Sequence, residues 1–382
     1  MSFAFRDMET QPRGAALTAT ALAVLVIGAC GGQGGNVASR TPSPSSSPAP
    51  QASATGSPTP VPSPVRVTGA YGVLYGSQSA STYTITIIGV DGKIVAAAEA
   101  STPPLVTCGG QLGAPVAPPI STSDSRVYFM DAQGVVRFLA PDGTTGRATS
   151  VPAPTASRRA MFTVSPDDRR IAVVVNDYTA SGASTKLYVE DVSGAGNHID
   201  TFSQSGSRTL WPVGWHGTNN LVVAVVASCT SGGGPFCCGP LELHVVDPAT
   251  ATRRFTLGNV TSCLIAGSPS PAGVACESQS QSQATVLNWT AGTVRTLALN
   301  RPSFVYVSPS GSLIAMVDDS GTSFTLGAAT IPGMFACTWL DDTHVLSGGD
   351  AQHQPRVADV VNGRIAPVAA QGDCAGRLPG GL

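Results

Sequence analysis

The stretch SPDDRRIAVVV beginning at Ser165 recurs as SPSGSLIAMVD at Ser308, with the same spacing from Ser-Pro to Ile-Ala. Proline after serine presets a tight turn, Asp168 or Gly311 supplies the left-handed residue that closes a hairpin, and a β-branched run then begins a strand. The same frame returns with less identity at Ser121, Trp215, Ser268 and Trp339, whose strands start six residues later at Val127, Leu221, Val274 and Val345. A weaker opening unit starts at Ala70. Each unit continues as an alternating strand, a polar turn and a further strand. Residues such as Leu187 and Val189 then face the neighbouring unit, so every unit needs the next to cover it. Repeats of roughly 30 to 55 residues without helical periodicity are the signature of β-propeller blades. The predicted fold is therefore all-β, a β-propeller over residues 66–382. Seven blades of about 45 residues fit this span, with six as the alternative if the Ala70 unit completes another blade.

Ser165, Pro166 and Asp167 with Ile171 and Ala172, and Ser308, Pro309 and Gly311 with Ile314 and Ala315, resemble the repeats of the TolB-like, WD-repeat-like propeller family. Those repeats carry a Ser-Pro-Asp-Gly turn before Ile-Ala and strand residues. Here Asp168 stands where the family prefers glycine, and Ser310 where it prefers aspartate. The resemblance spans about Arg66 to Ala370 and implies the repeat type without one function. A proline-rich segment stands where TolB itself has an α/β domain, so a Tol-system role is not implied.

The beginning of the chain supplies an address. Arg6 and Arg13 precede an uncharged stretch from Gly14 to Ala29, the order of a signal peptide, and this stretch is too short for a membrane-spanning helix. The run LVIGAC, closing at Cys30 behind small residues, resembles the lipobox of bacterial lipoproteins, which implies removal of residues 1–29 and attachment of acyl chains such as palmitate to the Cys30 thiol. A plain secretory signal and an uncleaved anchor are the other readings. Residues 30–65 then form a linker with eight prolines between Pro42 and Pro64 and little apolar bulk, a composition that cannot bury enough surface to fold. The expectation is a domain tethered at the extracytoplasmic face of the cell membrane.

Cysteine usage agrees with export. Apart from Cys30 the chain carries Cys108, Cys229, Cys237, Cys238, Cys263, Cys276, Cys337 and Cys374, an even set suited to disulfides. Cys263 and Cys276 flank the turn at Ser268 almost symmetrically and are predicted to pair. Cys337 with Cys374 would tie the tail to the last blade, and Cys229 with Cys237 or Cys238 would staple an insertion between two strands of one blade. Three thiols in this loop lack the paired spacings of a zinc site, so no metal is assigned.

Charged residues make up 12% of the chain and the net charge is -2, leaving no basic excess for nucleic acid. No catalytic constellation and no cofactor motif is evident. His198, His216, His244, His344 and His353 are scattered, and no nucleophile elbow is present. The adjacent pairs Asp167–Asp168, Asp318–Asp319 and Asp341–Asp342 suit turns better than carboxylate dyads, because neighbours on a strand face opposite ways. Trp215 and Trp339 share one repeat position, which points to core packing. The functional expectation is a non-catalytic binding or scaffold module for a protein, peptide or glycan. The alternative is an extracytoplasmic hydrolase or lyase with its site at the central funnel.

Overall fold

In the computed structural model, residues 63–382 are described apart from 77–80, 109–110, 113–117, 181, 195, 228–240, 302, 326–329 and 350–352. Of two units, Met1–Pro60 and Val61–Leu382, the first lies outside the described residues, and with it Cys30 and most of the linker.

Val61–Leu382 builds seven four-stranded antiparallel sheets arranged as a β-propeller, with a small hairpin of Thr107–Cys108 and Gln111–Leu112 between the first two. No helix occurs among the described residues. Each blade from the second to the seventh runs outward from an inner strand. These inner strands are Ile120–Thr122, Arg158–Val164, Arg208–His216, Leu264–Ile265, Phe304–Val307 and Ala336–Trp339. Blade 1 is closed differently. Its strands Tyr71–Tyr75, Thr82–Gly89 and Ile94–Ser101 receive their innermost partner from Asp373–Leu378, with Tyr71 opposite Leu378. This fixes the blade number at seven: the Ala70 unit has three strands of its own and borrows the fourth.

The repeated motif marks the turn between the first and second strands of a blade. Asp168 and Gly311 both adopt positive φ, 58° and 79°, as the turn requires. Asp168 N–H donates to the Ser165 carbonyl and Gly311 N–H to that of Ser308, while the serine hydroxyls accept from Arg170 N–H and Leu313 N–H. In blades 2 and 5 the turn is shorter. There Ser123 and Ser270, two residues after Ser121 and Ser268, hold the turn amides.

The core lies between successive sheets. Leu187 and Val189 of blade 3 pack with Leu221 and Val223 of blade 4, which in turn reach Val274 of blade 5. Trp215 is fully buried and donates Nε1–H to the Thr163 carbonyl of the preceding blade at 3.3 Å; Trp339 does the same to Tyr306 at 2.9 Å. The shared repeat position is thus a shared packing role. Burying each indole while satisfying its donor avoids the cost of an orphaned polar group.

Candidate functional site

The inner strands surround a central channel with a cavity of about 370 Å³. The first-to-second strand turns line one mouth, the turn-side mouth. At this end Val67 N–H donates to the Asp124 carbonyl and Arg66 pairs with the Asp124 carboxylate at 3.4 Å. The segment following Asp373–Leu378 crosses the same mouth. Gly380 N–H donates to Ser123 O, Leu382 N–H to Trp215 O, and the Leu382 carbonyl accepts from His216 Nδ1 at 2.7 Å. The Leu382 side chain fills the space a Cβ on Gly214 would need.

Two arginines line the cavity, one toward each end, in opposite electrostatic settings. Arg377 belongs to the closing strand. Burial pulls its guanidinium below the usual range, opposed by the negative charge of Asp342, Asp124 and Asp341. It also donates to the Pro379 carbonyl at 2.8 Å. Burial pushes the Asp124 carboxyl up, while Arg66 pulls it down.

Arg159 enters near the start of its inner strand, away from the turns. It is 9% exposed, and burial pulls its guanidinium down, with only the Tyr178 hydroxyl opposing. Nη1 donates to that hydroxyl at a long 3.4 Å. The guanidinium carbon lies 5.0 Å from the Trp211 ring centroid and 5.6 Å from that of Tyr178, within cation–π range. No carboxylate pairs with it among the described residues. The Trp211 indole N–H beside it is buried and has no acceptor among the described residues. Pro103, Pro104, Leu105, Val106 and Met161 supply the neighbouring walls.

The residues singled out in the sequence fall into separate places. Ser165, Asp167 and Ser308 serve their turns: Asp167 Oδ1 accepts from the Ser165 hydroxyl at 2.6 Å, and Pro309 faces the channel while Pro166 lies against Gly381. The acidic pairs are also turn formers. Asp341 accepts from Thr343 N–H and His344 N–H, Asp318 from Ser320 N–H, and Asp168 binds the hydroxyls of Ser125 and Tyr128 across the blade boundary. Cys263 is bonded to Cys276 and Cys337 to Cys374. Cys108 lies in the small hairpin; Cys229, Cys237 and Cys238 lie outside the described residues. Among the described residues no group of three or more His, Cys, Asp or Glu is arranged to hold a metal.

Arg159, Trp211 and Tyr178 were not picked out by the repeat pattern, since they occupy three different strands. The available signal was the pair Arg158–Arg159 opening an otherwise apolar strand, where alternation sends one of the two inward.

No family model and no curated protein matches the chain. Solved structures do. A protein assigned as a TolB from Agrobacterium tumefaciens is 11% identical, with a TM-score of 0.36 over 67% of this chain and 82% of that one. KlHsv2 with its loop 6CD replaced by a Gly-Ser linker is 12% identical, with a TM-score of 0.40 over 81% and 99%. Apo AztD from Citrobacter koseri is 12% identical, with a TM-score of 0.47 over 81% and 97%. At these values the likeness concerns architecture alone, and the propeller assignment rests on the seven four-stranded sheets themselves.

Proposed function

We propose that the chain is a cell-envelope lipoprotein, anchored at the extracytoplasmic face through Cys30, whose propeller is a non-catalytic binding module for a protein, peptide or glycan partner. The observation that carries binding over catalysis is the composition of the channel. Its described lining consists of prolines, hydroxyls, apolar and aromatic side chains, a disulfide and two arginines, without Asp, Glu or His. General acid–base chemistry draws on groups that titrate near the working pH, whereas recognition needs shape and a few placed donors.

The two ends of the channel differ in what crosses them. The linker reaches the propeller at the turn-side mouth, where Arg66 meets Asp124 and residues 379–382 cross the opening. The mouth carrying Arg159 lies at the other end of the channel. A lipid and a long tether would keep the module local to the membrane while leaving it free to reach a partner.

The test combines fractionation with site-specific photo-cross-linking in cells. Wild-type chain is expected in the membrane fraction and Cys30→Ala in the soluble one. A photoreactive residue at Leu105, exposed beside the Arg159 mouth, is expected to capture a partner, and one at Val361, exposed on the turn side, is not. Retention of Cys30→Ala in membranes overturns the anchoring. Capture at Val361 but not at Leu105 overturns the use of this mouth.

A further inference from the structure

A buried guanidinium without a counter-charge is costly, and folded chains normally pair such groups. The two channel arginines differ in degree: Arg377 feels the negative charge of Asp342, Asp124 and Asp341 without an ion-pair contact among the described residues and donates to a backbone carbonyl, while Arg159 has one long bond to a neutral hydroxyl. Two aromatic faces offset part of that cost and hold the planar cation in place. Most of its five N–H donors have no acceptor among the described residues.

The neighbouring indole repeats the pattern. Of the four tryptophans, Trp215, Trp289 and Trp339 each donate to a backbone carbonyl, at 3.3, 3.0 and 2.9 Å. Trp211, 7% exposed and part of the channel lining, has no acceptor for its indole N–H among the described residues. Thr209, two residues earlier on the same side of the strand, also has an unpartnered buried hydroxyl. The indole nitrogen and the Thr209 hydroxyl are closed off from solvent and Thr209 is not part of the lining, so the group at the channel surface that lacks its anion is the Arg159 guanidinium, stacked on the Trp211 ring.

We infer that Arg159 and Trp211 form a binding site for the carboxylate of a ligand whose apolar body lies against Pro103, Pro104 and Val106; this rests on the binding-module reading of the same channel. A carboxylate matches one guanidinium in charge and planar geometry. A dianionic phosphate would leave one charge buried without a partner. The same head group is offered by a free small organic acid and by a peptide C-terminus.

The test follows the indole N–H resonances of the full chain, labelled with ¹⁵N, during titration with hexanoate, hexanamide, hexyl phosphate, and N-acetyl-alanyl-leucine as acid and as amide. Trp211→Phe assigns the Trp211 signal by removing it. Hexanoate, by pairing with the guanidinium stacked on that ring, is expected to move this signal and leave the other three in place, with hexanamide binding at least about tenfold more weakly. Arg159→Gln is expected to abolish the acid–amide difference, and Arg159→Lys to keep part of it. A peptide acid binding about tenfold more tightly than hexanoate identifies a chain terminus as the source; equal or weaker binding identifies a free acid. Equal binding of acids and amides, no movement of Trp211 with any acid, or tighter binding of hexyl phosphate than of hexanoate overturns the site. Such a result with a partner still captured at Leu105 leaves the binding-module reading standing. Acid selectivity with no partner captured there overturns that reading and keeps the site.

Discussion

Cys337 on the inner strand of blade 7 is bonded to Cys374 on the strand that closes blade 1, with their Cα atoms 5.9 Å apart. The bond therefore joins the two ends of the ring, where the strand supplied from residues 373–378 meets the last blade. A propeller opened at this seam would expose the flanks of two blades. Here the seam is covalent.

Replacing Cys337 and Cys374 together by alanine is expected to destabilise the propeller by up to about 4 kcal/mol, and replacing Cys263 and Cys276 by up to about 3 kcal/mol, because the longer loop restricts the unfolded chain more. Urea unfolding of the two double variants measures this order. Hydrogen exchange at Tyr71–Tyr75 should accelerate only in the first, since only that bond holds its innermost partner strand.

Trp215→Ala is expected to cost about 3 to 5 kcal/mol through a core cavity, and Trp215→Phe about 1 to 3 kcal/mol through smaller volume and the lost bond to the Thr163 carbonyl. Trp339→Phe should behave alike at Tyr306. Denaturation midpoints check both, and a neutral Trp215→Phe would show that the inter-blade bond contributes nothing.

Asp168→Gly restores the residue that the local turn prefers, yet it is expected to lower stability by about 2 kcal/mol. Glycine relieves the positive φ but removes a buried carboxylate that accepts from Ser125 and Tyr128 at 2.8 Å each. Asp168→Asn, which tolerates the same φ and keeps one acceptor, should lose less. Equal stability of Asp168→Gly and wild type would remove the argument.

Glu277 predicts a pH dependence. Burial pushes its carboxyl up to about 7, against an ordinary 4.5, with only the Ser303 backbone amide pulling it down, and Oε1 has no partner. An acid raised in the folded state favours folding while protonated in both states, and that contribution is lost as pH rises from the unfolded value through the folded one. Stability should fall between about pH 4.5 and 7 from this group. Glu277→Gln, still able to accept from Ser303, should flatten that slope and be the more stable form at pH 8.

Gly214→Ala places a Cβ 2.7 Å from the Leu382 side chain and should dislodge residue 382 without disturbing the blade. The Leu382 amide, bonded to Trp215 O, is expected to lose its hydrogen-exchange protection while neighbouring strands keep theirs. Unchanged protection would show that the segment is held elsewhere along the mouth.

Much of the fold was legible because turn chemistry is local. Ser-Pro with a left-handed residue three positions on marks a hairpin wherever it occurs, and the strands at Ile171 and Ile314 follow directly. The register slip to Ser123 and Ser270 was hidden because more than one serine stands within each motif and only the backbone path selects one. The closing strand was hidden for another reason. Asp373–Leu378 carries no turn of its own, and the Tyr75 hydroxyl bonded to Asp373 lies 298 residues away.

What the sequence determined by itself was whatever depends on near neighbours: the repeat, its turns, the alternation that buries Leu187 and Val189, and cysteines spaced within reach of one another. The tertiary structure alone decided which inner strands stand side by side around the channel. Period-two alternation sends Arg159 inward, but the curvature of the ring places Trp211 and Tyr178 beside it and leaves every described carboxylate out of pairing range. The candidate site exists only between blades, where no single stretch of sequence can specify it.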